Sequence, residues 1–192
     1  MLRRFLAVLL MLSSLVLRPA QAQSLGSNPH ESPDARVAAL DVALYNAQAN
    51  VQESTDAEKA ALATSVLLAT LGRLLPDQLA DSTAVRTAAR SDSALALTGG
   101  QPCNVIVACA RAVARAVNAR WAVLAKVSKT SNLIWLLTAQ LVHVPSGSIV
   151  LDDSTELKGE PEAMVRAGSR IFAERVARTV RAGGMTTNFP TP

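Results

Sequence analysis

Few residues in this sequence are equipped for chemistry. Cys103 and Cys109 are the only cysteines, His30 and His143 the only histidines, and Asp152 and Asp153 the most conspicuous adjacent carboxylates. Metal binding needs several ligands at compatible spacing, and His143, the one histidine in an ordered element, has no Cys, Asp or Glu at ligand spacing. His30 falls in a polar, proline-containing stretch. His143 stands beside Pro-Ser-Gly and reads as a half-exposed strand-end residue. No Gly-x-Ser-x-Gly, phosphate loop, His-Glu-x-x-His or dinucleotide fingerprint occurs, so neither an enzyme nor a cofactor is expected.

Adjacent strand residues point to opposite faces, which prevents Asp152 and Asp153 from acting as a carboxylate pair. Pairing across the hairpin sets Asp152 on the solvent side opposite Gln140 and Asp153 on the core side opposite Ala139. A carboxylate on a core face is costly unless an Arg or a helix terminus meets it. The expectation is a bulge or sheet edge that returns Asp153 to water. Asp41 raises the same question, and its expected partner is a nearby turn.

The cysteines are read through their compartment. Arg3 and Arg4 precede the apolar run Phe5 to Leu17, and Ala20-Gln21-Ala22 supplies small residues at cleavage spacing. Residues 1–22 therefore read as a secretory signal peptide. The apolar run is short for a bilayer span of about 20 residues and Arg18 closes it, so no stable membrane anchor is expected after cleavage. No Cys follows the cleavage site, which argues against a lipid anchor. In an oxidising compartment the two cysteines are expected as a disulfide, with buried free thiols as the alternative. Within one helix, six residues would separate the Cα atoms by about 9 Å, too far for a bridge. Cys103 must then lie in the turn before the helix that carries Cys109.

Composition narrows the partners. Arg3, Arg4 and Arg18 account for most of the formal charge of +4, leaving a nearly neutral mature chain with no basic run interleaved with aromatics. Nucleic acid is excluded on that ground. Hydrophobic residues are 49% of the chain but aromatics only 3%, so Ala, Val and Leu must build the core. Arg166, Arg170, Arg178 and Arg181 could form a stripe for an acidic partner or lipid headgroups. Balanced by Glu162 and Glu174, they read as a solvated helix face.

The elements that position these residues follow from periodicity. Residues 23–35 are a disordered lead-in, 36–182 a single α/β (α+β) two-layer domain, and 183–192 a disordered tail. Within the domain the expected order is β-α-(β)-α-β-β-β-α. Arg36 to Asn46 suits a buried strand. Thr55 with Glu58 forms a capping box opening a helix with Leu62, Val66, Ala69 and Leu71 on its buried stripe, ending near Gly72. A short edge strand around 73–79 and a short polar helix follow. Val105 to Val117 is a helix with Arg111 and Arg115 on its outer face, stopped by Asn118 in a left-handed conformation.

Three strands from Arg120, Ser131 and Ser148 then form an antiparallel meander. Pro145 and Gly147 suit a type I turn with a bulged glycine, and pairing Val144 with Ser148 puts Trp135, Leu137, Leu141, Ile149, Leu151 and Leu157 on one face. Thr138, Gln140, Asp152, Ser154 and Glu156 occupy the other. Glu160 to Arg181 is the last helix, with Val165, Ile171, Phe172 and Val176 inward.

The stretch CARAVARAVNARWAVLAKVSKTSNLIWLLTAQLVHVPSGSIV and the earlier ALDVALYN carry a resemblance to a bacterial family of small secreted proteins known as a domain of unknown function. It runs from about Arg36 to Val180. Lys126-Val127-Ser128, Ser131-Asn132-Leu133-Ile134 and the Pro-Ser-Gly turn are its most characteristic residues. Two departures stand out: the family's cysteines sit closer together, and a small residue usually stands at Asn118. The overall layout is also similar to the N-terminal domain of TolB and to CsgG-like periplasmic assembly domains. The resemblance implies a periplasmic or secreted module that binds an envelope protein. The alternative is a small-ligand binder or hydrolase using the polar sheet face, with Lys126, Gln140, Asp152 and Glu156 converging.

Overall fold

The computed structural model describes residues 36–46, 53, 55–99, 103, 105–131 and 134–184. The expected signal peptide, lead-in and most of the tail lie outside them. Near the end of the described chain, Gly183 and Gly184 form a turn, and the Gly184 N–H donates to Thr179 O at 2.9 Å.

Three long strands, β3 (Trp121–Lys129), β4 (Trp135–His143) and β5 (Ile149–Leu157), form the expected antiparallel meander. On the far side of β3 lie two short strands, β1 (Val37–Ala39) and β2 (Ala43–Asn46), both parallel to it. They replace the single strand expected over 36–46. Ala39 pairs with Val123 and Ala43 with Lys126, so four steps on one side match three on the other and one residue is extra. That bulge shifts the alternation: Val37 and Ala39 join the main core, Leu40 the second core, and Val42 the main core again. Asp41 sits in the bulge. The displaced Val42 N–H donates to Thr64 Oγ1 at 2.8 Å, which supplies the partner that the interrupted ladder lacks.

Helices α1 (Asp56–Leu74) and α5 (Pro161–Arg181) cover one sheet face. Their core includes Leu67, Leu71, Val123, Leu141, Phe172 and Val176. The buried stripe of α1 is Ala60, Ala63, Thr64, Leu67, Thr70 and Leu71. Leu62 and Val66 are only half-buried, and Ala69 is exposed. Small residues share that stripe with Leu67 and Leu71 because α1, lying beside α5 on the sheet, packs against both. The capping box also fails: Thr55 is the N-cap but makes no side-chain cap bond, and Asp56 instead accepts from the Glu53 N–H at 3.2 Å. In α5, Ile171 is exposed rather than inward. The Glu160 carboxylate caps that helix, accepting from the Ala163 N–H at 2.6 Å and the Glu162 N–H at 3.0 Å. The Ala163 bond, then the Glu162 bond, holds its pKa below the usual range.

On the other face lie α2 (Ser82–Ala89), α3 (Asp92–Ala96) and α4 (Val107–Ala116). A second core forms there from Val85, Cys109, Val113, Ala122, Leu124 and Val142. The edge strand expected around 73–79 is reduced to one bridge between Leu79 and Val37, because α1 continues to Leu74. Asn118 adopts φ +55, the left-handed stop expected for α4. Arg111 is not on a solvent face: its Nε donates to Val144 O at 3.0 Å.

That bond helps explain the hairpin. Val144 is 3% exposed in the second core, and its N–H donates to Arg120 O at 2.8 Å. The closing pair is therefore His143 with Ser148, whose N–H···O distance is 2.9 Å, rather than Val144 with Ser148. Gly147 keeps its expected left-handed φ of +76. A register shift between Leu141 and Val142 then restores the expected pairing, with Gln140 opposite Asp152 and Ala139 opposite Asp153. Ile149 falls within the shifted segment, opposite Val142, and is 44% exposed instead of lying on the core face.

Candidate polar sheet face

Helix α4 covers only the half of its sheet face nearest Trp121. Beyond Leu124 the same face carries Lys126, Thr138 and Gln140, which are half-buried, and Asp152, Ser154 and Glu156, which are exposed, while Ser128 near the end of β3 is buried. Lys126 pairs with Thr138 and Ser154 across the sheet, Gln140 with Asp152, and Leu136 with Glu156. The four expected site residues thus share one face.

They do not converge on one point. Gln140 Nε2 donates to Asp152 Oδ1 at 3.2 Å, the one contact that joins two of them. Lys126 Nζ leans the other way, 5.6 Å from the centroid of the Tyr45 ring. Glu156 pairs with Lys158 at 3.3 Å. Tyr45, 57% exposed, was not among the expected residues. No local pattern in the sequence marks it: Tyr45 stands level with Ser128 and shares the face of Lys126 through the parallel pairing of β2 with β3. A hollow on this face, bounded by Val105, Leu124, Lys126, Thr138 and Gln140, measures about 110 Å³.

Elsewhere the candidate groups have structural partners. Asp153 lies opposite Ala139 on the core side as expected, but no bulge returns it to water: Arg175 of α5 reaches it at 2.5 Å. Asp41 meets Arg86 of α2 rather than a turn, with Arg86 Nε 3.1 and 2.9 Å from its two oxygens. Of the basic stripe, Arg181 turns back to donate to Leu74 O at the end of α1, while Arg166, Arg170 and Arg178 are exposed. His143 is half-buried, 4.9 Å from the Trp121 ring, and its Nδ1 lies 2.8 Å from Ser146 Oγ. Burial, and secondarily the charge of Arg120, pushes its pKa below the ordinary value.

Cys103 and Cys109 form a disulfide with Cα atoms 5.5 Å apart, and both residues are buried. Cys103 lies ahead of α4, as the geometry of a helix demanded. Among the described residues no group of three or more His, Cys, Asp or Glu could hold a metal ion. No helix among them is long and apolar enough to cross a membrane.

No curated protein matches the sequence. Similar solved structures include the LpoB C-terminal domain from Escherichia coli, at 20% identity over 70% of this chain and 90% of that one, TM-score 0.44. A PelC dodecamer from Paraburkholderia phytofirmans is 15% identical over 81% and 93%, TM-score 0.41. TolB from Acinetobacter baumannii is 13% identical over 78% of this chain and 29% of that one, TM-score 0.44. Residues 35–176 match the family model DUF3280, described as "Protein of unknown function (DUF2380)", and the chain belongs to that family.

Proposed function

We propose that this chain is an exported, non-enzymatic module that binds another protein of the bacterial cell envelope through the uncovered half of its sheet. The observation that carries this reading is the extent of that half-face, set against the shallowness of its hollow. Small-molecule sites enclose roughly 300–1,000 Å³ and bury most of their ligand. A hollow of about 110 Å³ on an open sheet offers too little enclosure for that. A broad surface with one exposed aromatic, Tyr45, and hydrogen-bonding groups at Lys126, Gln140 and Asp152 suits a protein partner better. Export, and with it a periplasmic or secreted location, rests on the leader read in residues 1–22.

A photo-crosslinking amino acid placed at Thr138 or Gln140 in living cells tests the reading, with exposed Arg90 as the control position. A discrete adduct is expected from the first two sites and not from the third. It should disappear when Lys126→Glu and Asp152→Lys reverse the charges of the face. Recovery of uncrosslinked monomer alone from all three sites would overturn the proposal.

A further inference from the structure

We propose that the outer edge of β2 is a docking slot for an extended peptide running antiparallel to it, with the peptide's C-terminal carboxylate held by Arg86. The sheet has two outer edges, and they are treated differently. At the β5 edge, Asp153 points inward and is paired with Arg175, and the register shift near Leu141 distorts the ladder. Inward charges and bulges are devices that discourage strand addition.

On the opposite edge β1 is already covered: the Val37 N–H donates to Gln78 O at 2.7 Å and the Ala80 N–H to Val37 O at 2.9 Å. That cover stops before β2. No described strand pairs with the outer side of β2, whose residues Ala43, Leu44, Tyr45 and Asn46 carry no charge. An uncharged edge that no described strand pairs is a template for a further strand.

A groove of about 580 Å³ runs along this edge. Ala57 and Ala61 of α1 and Val105 ahead of α4 belong to its lining, with Val42 just before β2 and Leu44 within it. Such small and apolar walls admit a backbone close to the strand. Arg86 lines it too, beside Asp41, two residues before β2 begins. A peptide antiparallel to β2 brings its C-terminus to that position. Asp41 engages only Nε of Arg86, which leaves the Nη1–Nη2 fork to receive a second carboxylate. Strand pairing would supply affinity and Arg86 would fix the end of the peptide.

This inference rests on the reading of the chain as a protein-binding module, but it concerns a different surface. The test measures fluorescence anisotropy with the purified protein and a labelled hexapeptide of alternating threonine and valine. Three forms of the peptide are compared: the free acid, the C-terminal amide, and the acid N-methylated at alternate residues. The acid should bind about ten-fold more tightly than the amide, as a charge-assisted bidentate contact implies. N-methylation should abolish binding. Arg86→Gln and Arg86→Lys should both remove the preference for the acid, the second while keeping a cation beside Asp41. Asp41→Asn should widen the preference by removing the competing carboxylate.

Absence of binding by either unmodified peptide, equal affinities for acid and amide, or indifference to N-methylation would overturn the slot. A failed peptide test with a surviving adduct at Gln140 would remove the slot and leave the half-face reading standing. Peptide binding without the adduct would do the reverse.

Discussion

Asp56 and Lys129, 73 residues apart in sequence, meet as a buried ion pair: Lys129 Nζ lies 3.3 and 3.2 Å from the two carboxylate oxygens. The side chains are 0% and 4% exposed. Glu53 also approaches the amine at 3.3 Å, and the Trp135 ring lies 5.5 Å from it. Burial alone would depress the pKa of Lys129, but the bonds to Asp56 and Glu53 outweigh it and hold the amine charged. The pair ties the start of α1 to the end of β3.

Breaking such a pair from one side strands the other charge in the core, whereas replacing both partners with apolar groups removes the liability. Asp56→Leu alone should lower the thermal midpoint on the order of 10 °C. Adding Lys129→Met should recover most of that loss. Calorimetry on the two single variants and the double variant checks the prediction. Additive losses would show that the two residues act independently.

Ser169 gives a prediction of opposite sign. It sits on the buried face of α5, 3% exposed, and its hydroxyl has no hydrogen-bond partner among the described residues. A buried hydroxyl without a partner pays for desolvation with nothing in return, and Ala is the better helix former. Ser169→Ala should therefore stabilise the protein by about 1 kcal/mol, seen in urea as a higher midpoint with an unchanged slope.

How far the sequence could be read depended on side-chain contrast. The meander was legible because β4 alternates Trp135, Leu137, Ala139 and Leu141 with Leu136, Thr138 and Gln140, and because Gly147 marks the turn. The Gln140–Asp152 register was recovered although the turn differs, since the shift beyond Leu141 compensates for it. In α1, where alanine occurs on every side, hydrophobicity could not say which face is inward; packing against α5 and the sheet decided it. The bulge at Asp41 left no pattern in an alanine-rich strand. The partners Arg86 and Arg175 lie 45 and 22 residues from their carboxylates, beyond any local periodicity. The polar face was legible residue by residue, but Tyr45 joins it only through parallel pairing of β2 with β3.

His143 should make stability depend on pH. Its folded-state pKa lies below the ordinary value of 6.5, so the unfolded chain takes up a proton at a pH where the folded one resists it. The unfolded state then binds more protons, and stability rises with pH through the window between the folded pKa and about 6.5, levelling off above it. Acidification through that window should lower the urea midpoint in the native protein. His143→Gln should remove this contribution. An unchanged pH profile in the variant would assign the dependence to other groups.

The disulfide offers the last test, because it links compartment to stability. Cys103 and Cys109 close a small loop, and by chain-entropy reasoning such a loop stabilises the folded state by about 2 kcal/mol, mainly by restricting the unfolded chain. Cys109 lies in α4 against Val113 and Ala114, so the bridge pins the segment before the helix to the second core. Replacing both cysteines by serine should cost about that amount, plus the penalty of burying two hydroxyls where sulfur packed. Cys109→Ala with Cys103→Ala separates these contributions, since alanine removes the bridge without adding a polar group. Urea titration of both double variants measures the difference. Intact mass of the native protein, alkylated with and without reductant, checks the bond itself: no label should enter before reduction and two should enter after it. Full labelling without reductant would show that the thiols are free in the native protein.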